Sequence, residues 1–255
     1  LEALPAGAIV PSMTGRNILD PGAVGAAIGR VLERVGGPRR IGLVVPDPIA
    51  KVSLVRFAQV PDRADDLEQL IRFQIRKSAP FSIDEAQVSW CAGAVVEGSH
   101  EFVVTLARRD VVSEYEAACA AVGAYAGLVD LATFNVVNAV LGGRATPQGD
   151  WLLVHAATGY VSLAVLRGPD VVFFRSRGAD TGDTLADLVH QTAMYYEDRL
   201  HGRGFTRVML SGASASDGEG DLLRRSLEAR LSVPVEAVDA LAPLVGLLVR
   251  GREAA

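Results

Sequence analysis

The chain is poor in several things, and each shortage removes a class of protein. Only two of its 255 residues are cysteine. Cys91 and Cys119 lie far apart and form no metal-ligand spacing, so they are read as buried free thiols in a reducing compartment. Aromatic residues make up 6% of the chain, which leaves a core of small aliphatic side chains. No apolar run approaches the ~18–20 residues that a membrane-spanning helix needs. The basic residues are scattered through a chain of net charge −5, which argues against a nucleic-acid partner. The opening LEALPAGAIVP lacks the basic flank and apolar stretch of a secretory leader. It also starts without a clean element boundary, so the chain is read as lacking its native N-terminus. These features point to the cytoplasm.

What is present is a globular composition, 49% hydrophobic and 22% charged, at a length that suits one large domain or two ordinary ones. The most informative stretch is Asp150–Arg177. Trp151–His155, Val161–Leu166 and Val171–Phe174 are short apolar runs split by two turns. The first turn is Ala156–Tyr160 and the second Arg167-Gly168-Pro169-Asp170. That pattern predicts a β-meander. It follows a helical stretch and a Gly142-Gly143 break, so it opens a second domain.

Read in order, Asp20 caps a helix that has Pro21 at its first position and runs to about Val35, where Gly36-Gly37 stops it. Ile41–Val45 reads as a buried strand ended by Pro46-Asp47-Pro48. Val52–Val60 reads as a strand, and Asp65–Lys77 as a helix capped by Asp62. Strands follow at Ala86–Ala94 and Phe102–Ala107. Asp110 is expected to cap helix Val111–Val122. Gly127–Leu131 is a short strand and Thr133–Leu141 a helix. After the meander, Asp180–Leu200 is helical, Arg207–Leu210 a strand and Asp221–Leu231 a helix. Val235–Val238 is a strand and Ala240–Leu248 a helix. Two halves of strands alternating with helices define an α/β protein with two sheets.

Several stretches together resemble the type IV pilus assembly protein PilM family, in the actin-like ATPase superfamily with FtsA. They are Val44–Val60, Ile71–Trp90 (IRFQIRKSAPFSIDEAQVSW), Arg108–Leu131, Gly178–Leu200 with its Tyr195-Tyr196 pair, and Val208–Ala213. The likeness spans roughly residues 20–245, and it lies in the order and spacing of the five stretches rather than in any one of them. It implies an actin-like, ribonuclease H-like two-lobed α/β fold. Residues 1–145 would form the N-terminal lobe, with an inserted α+β subdomain at about 48–125, and residues 146–255 the C-terminal lobe.

The same resemblance implies an ATP site built on the meander's first turn and on an adenosine-side turn. Its candidates here are His155, Thr158, Gly159 and Tyr160, with Gly212 and Ala213 opposite. The family's Asp-Leu-Gly phosphate loop near the N-terminus is absent from this sequence, so it either lies ahead of Leu1 or does not exist. The second phosphate turn opens with Asp-Ile/Val-Gly in the family and with His155-Ala156-Ala157 here. Neutral imidazole is a poor ligand for hydrated Mg²⁺, and Ala157 adds a methyl where a glycine lets backbone approach phosphate. The expectation is a degenerate site with no catalytic residue and no metal ligand.

The resemblance further implies a cytoplasmic scaffold at the inner face of the inner membrane. It would bind the N-terminal tail of a PilN-like membrane protein as an extended peptide in an apolar groove. Ile71, Ile75, Pro80 and Phe81 are the groove candidates. Two other readings stay open: the cytoplasmic actin-like domain of a GspL-like type II secretion protein, and an active sugar- or acetate-kinase-like enzyme. Residue by residue, simpler roles are also expected. His155 would be a half-buried strand end, His190 a surface side chain, and Tyr195 and Tyr196 core packing. Asp84 and Glu85 would be solvated turn charges. Ser211 lacks the Gly-x-Ser-x-Gly context of a hydrolase nucleophile.

Overall fold

The computed structural model describes residues 1–143, 148–178, 182, 184–212 and 218–253. The chain separates into two compact units. One comprises Leu1–Cys91 and Val104–Leu131, the other Ala92–Val103 and Ala132–Ala255.

In the first unit, helix α1 (Pro21–Arg34) starts as its sequence dictates. The Asp20 carboxylate accepts from the Ala23 N–H at 2.9 Å, and Pro21 occupies the first turn. The helix ends where the Gly37 N–H donates back to the Leu32 carbonyl. Strand β1 (Arg40–Val45) then pairs in parallel with β5 (Tyr125–Leu131). Helix α3 (Arg109–Ala120) precedes β5. Apolar residues of α1, including Ile28 and Leu32, pack with Ile41, Leu43 and Val129 around Cys119, Ala124 and Ala126.

Between β1 and α3 lie β2 (Ala50–Phe57), α2 (Ala64–Ile75), β3 (Ala86–Val96) and β4 (Ser99–Arg108). β2, β4 and β3 form a three-stranded sheet in that order. β5 pairs with β1 rather than with this sheet.

Two expected caps are corrected. Arg63, not Asp62, is the N-cap of α2, and it makes no side-chain cap bond. Asp110 lies inside the first turn of α3, where Arg108 is the N-cap; its carboxylate pairs with the Arg108 guanidinium and accepts from the Val111 N–H. Its role is to place negative charge at the positive end of the helix dipole. The stretch before α1 is held by a buried polar knot whose partners lie almost a hundred residues apart in sequence. Glu114 Oε2 accepts from the N–H groups of Asn17 and Ile18 at 2.8 and 3.0 Å. The Asn17 side chain bonds Ser12 at both its amide ends, and Tyr115 donates its hydroxyl to Asn17 Oδ1.

The second unit carries the meander, β6 (Asp150–Ala157), β7 (Tyr160–Arg167) and β8 (Asp170–Gly178), in antiparallel pairs. After α5 (Leu185–Leu200), β9 (Arg207–Ser211) joins β6 in parallel. After α6 (Gly218–Leu231), β10 (Val235–Ala237) joins β9. The sheet order is β10-β9-β6-β7-β8. β6 is buried along nearly its whole length because it lies in the middle of that sheet. This is why Trp151–His155 reads as an unbroken apolar run rather than an alternating one. Leu152, Val154, Leu163, Val165, Val208 and Leu210 pack there with Val189 and Tyr196 of α5 and Leu227 of α6. Helix α4 (Ala132–Leu141) groups with this unit, not with the residues before 145, because it packs on α7 (Ala242–Glu253).

The paired tyrosines diverge. Tyr196 is core, stacked on Phe205 at 4.5 Å between ring centroids, whereas Tyr195 is exposed, tilted against Phe173. Cys119 is buried as expected, but Cys91 is exposed: it faces outward from β3, an edge strand of the small sheet. His190 is exposed. Asp84 and Glu85 are exposed too, on a single 3₁₀ turn (Ile83–Glu85), as expected of turn charges. Among the described residues, no helix is long and apolar enough to cross a membrane.

At the start of β6, one ionic cluster ties three elements together. Arg167, facing Asp150 in the hairpin register, donates to both oxygens of the Asp150 carboxylate, and Tyr196 donates its hydroxyl to Oδ2 at 2.7 Å. Burial opposes ionisation of Asp150, but the bonds from Arg167 and Tyr196 outweigh it and hold the carboxyl below its usual range. Burial, and then the same bond to Asp150, push Tyr196 up to about 12. Because the folded-state pKa of Asp150 is depressed, its contribution to stability is complete above the unfolded value of about 3.9 and is lost as pH falls through the folded value. Asp150→Asn is therefore expected to cost about 1–2 kcal/mol at neutral pH. It should also flatten the loss of stability below about pH 4. Urea unfolding of both proteins between pH 7 and pH 3 checks both effects.

Candidate functional site

The expected nucleotide-side residues do converge within the second unit, at the carboxyl ends of two neighbouring parallel strands. β6 and β9 run side by side with His155 opposite Ser211. In open α/β sheets, that end of the strands is where ligands bind. β6 ends at Ala157, Thr158 and Gly159 form a tight turn, and β7 returns at Tyr160. Thr158 and Gly159 are exposed. Gly159 has φ 84°, and a Cβ placed on it would meet nothing within 4 Å. The turn thus needs a residue tolerant of the left-handed region and has open space over it.

β9 ends at Ser211 and the chain turns at Gly212, which has φ 112°. A Cβ on Gly212 would lie 1.9 Å from the carbonyl oxygen of Ala156, so the two chain segments touch backbone to backbone. Ala213 lies outside the described residues.

His155 differs from its expected role. It is buried rather than half-buried, only 4% exposed, because β6 has neighbours on both sides. Its Nδ1 faces Ser211 Oγ at 3.4 Å and its Nε2 faces the Tyr160 hydroxyl at 3.3 Å. Ser211 and Tyr160 are buried as well. The imidazole therefore lies between two hydroxyl groups, one from β7 and one from β9. Of these two, Ser211 carries no local sequence signal beyond its lack of a nucleophile context. The parallel register that brings it to His155 depends on a crossover of more than thirty residues and is not visible in local spacing.

These residues do not fit a magnesium–triphosphate. A hydrated Mg²⁺ is held by one or two carboxylates together with phosphate oxygens. Here the carboxylate position of the resembled motif is a buried imidazole already flanked by two hydroxyls. Among the described residues, no group of three or more His, Cys, Asp or Glu side chains is placed to hold a metal ion. What the arrangement provides is an exposed Thr158-Gly159 turn at the end of the central strands of a five-stranded sheet.

The groove candidates in the first unit separate. Ile71 and Ile75 are buried, on the inward stripe of α2, and cannot line an open groove as they stand. Pro80 is exposed and Phe81 half-buried. The exposed large apolar residue of α2 is Phe73, at 74%. Its sequence signal is its offset of two from Ile71 and Ile75, which places it on the opposite face of the helix.

No protein-family model and no curated protein matches this sequence. Solved structures do match it. The chain has the α/β fold of the actin-like ATPases. It is similar over 98% of its length to a chain of a PilM–PilN type IV pilus biogenesis complex, with a TM-score of 0.81 and 16% identity, covering 90% of that chain. It is also similar to a protein of actin-like ATPase fold and unknown function from Bacteroides thetaiotaomicron. There the TM-score is 0.53 and the identity 7%, over 91% of this chain and 84% of that one.

Proposed function

We propose that this chain is a PilM-like scaffold of a type IV pilus system. It binds the N-terminal tail of a PilN-like membrane protein and works at the cytoplasmic face of the inner membrane through that partner. The observation that carries this reading is the near-complete overlap with a chain of a PilM–PilN complex. The His155 arrangement supports the second half of the proposal, that the site is a degenerate nucleotide site and the protein a pseudo-ATPase. A chain that keeps the actin-like fold without its metal ligand works by gripping rather than by turnover.

The tail docks as an extended peptide, using main-chain hydrogen bonds and pockets for alternate side chains. Pro80 and Phe81, with Phe73 in place of the inward-facing Ile71 and Ile75, are the apolar contacts proposed for it. The test is titration of the protein with a synthetic peptide of the N-terminal cytoplasmic tail of the PilN-like membrane protein from the same organism. Saturable binding with a Kd of about 1 μM or tighter is expected. Phe73→Ala should weaken it about tenfold or more. Absence of binding to that tail would overturn the reading.

A further inference from the structure

β3 (Ala86–Val96) is 11 residues long and is an outer strand of its sheet, with β4 as its neighbour on one side and no strand on the other among the described residues. The backbone groups along that outer side are a template for another strand. Sheet edges are commonly blunted by charge, by proline or by brevity. The outer strand β2 carries Lys51 and Arg56, β8 carries Arg175 and Arg177, and β10 is 3 residues long. β3 reads AQVSWCAGAVV and has none of these guards. Its side chains are also left partly uncovered. Trp90 is half-buried, Cys91 and Ala92 are exposed, and Val95 is 61% exposed.

The strand is complementary to itself when paired antiparallel. Its midpoint is Cys91. A two-fold axis there sets each residue opposite the one equally far from the midpoint on the other copy. Trp90 then meets Ala92, and Val88 meets Ala94, a larger side chain against a small one each time. Opposed residues differ by an even number of positions, so each pair lies on one face of the sheet. No like charges meet, because the strand carries no charge. Overlap of the whole strand gives about ten inter-strand hydrogen bonds, as many as a standard protein interface holds.

We propose that the outer edge of β3 is a self-association surface. Its occupant is β3 of a second copy of this chain, paired antiparallel about Cys91, so that the two small sheets become one continuous sheet. An extended peptide of another protein would need only the bare edge. The matching of large to small residues about the midpoint is what favours a second copy. The pairing closes at two copies, because each outer edge is then occupied. This inference rests on sheet order and on the sequence of β3, and it is independent of the tail-binding reading.

Sedimentation equilibrium of the native protein in reducing buffer tests it. A dimer with a Kd of about 10 μM or tighter is expected. Cys91 is the residue that faces its own copy, and it is exposed, so it can be replaced at little cost to the fold. Cys91→Lys and Cys91→Glu each set like charges against each other and should weaken the dimer about fivefold or more. An equimolar mixture of the two variants sets opposite charges there and should recover the parent's Kd. A protein that stays monomeric at about 100 μM overturns the proposal. So does a dimer that Cys91→Lys leaves unchanged, or a mixture no tighter than either variant alone. Protection of β3 from hydrogen exchange that appears only on adding the tail peptide also overturns it, since the edge would then belong to that partner.

Discussion

Gly212→Ala is expected to destabilise the second unit by at least about 3 kcal/mol. Two costs combine. The backbone at Gly212 has φ 112°, which a side chain resists. The added methyl would also lie 1.9 Å from the Ala156 carbonyl oxygen and 2.7 Å from its carbon. Neither atom can move away cheaply, because Ala156 belongs to the central strand β6, which is paired on both sides. Gly159→Ala is the control. It shares the positive φ but meets nothing within 4 Å, so its cost is backbone strain alone, about 1–2 kcal/mol. Urea unfolding of the two variants beside the parent protein measures the difference. Equal, small losses would show that β6 and the Gly212 turn are not in backbone contact.

The second large effect is expected from Gly246→Ala, at the crossing of α7 and α4. A Cβ on Gly246 would stand 1.7 Å from the Asn135 carbonyl oxygen, 2.6 Å from its carbon and 3.0 Å from the Ala139 nitrogen. Two helix backbones meet there, so the helices must separate to admit one methyl. The expected loss is about 3 kcal/mol or more. Proteolysis in α7 should increase well before global unfolding. Thermal melting and limited trypsin digestion report the two effects, and a variant indistinguishable from the parent would contradict the crossing.

Much of the fold was legible in the sequence because its signals are local. The three apolar runs of Asp150–Arg177 became β6, β7 and β8, and Asp20-Pro21 opened α1 as capping chemistry requires. What was not legible depends on tertiary neighbours. Asp62 and Asp110 have the composition of caps, yet each helix begins beside them, not at them. Cys91 and Tyr195 face outward because of strand and helix position, which composition does not encode. The departure from the phosphate motif at His155 was visible from sequence. The imidazole's enclosure by Tyr160 and Ser211 was not, since it follows from the β6–β9 register.

The Asp150 cluster lies between these extremes. Asp150 and Arg167 stand at the two ends of one hairpin, so a correct register predicts their pairing. Tyr196 joins them only because α5 packs on the sheet, and there its ring fills the space beside Gly202.

The most direct test of the scaffold reading is calorimetric titration of the native protein with ATP, with and without Mg²⁺. No magnesium-dependent heat is expected, with any affinity weaker than about 1 mM. Tight, magnesium-dependent binding followed by release of phosphate would contradict it.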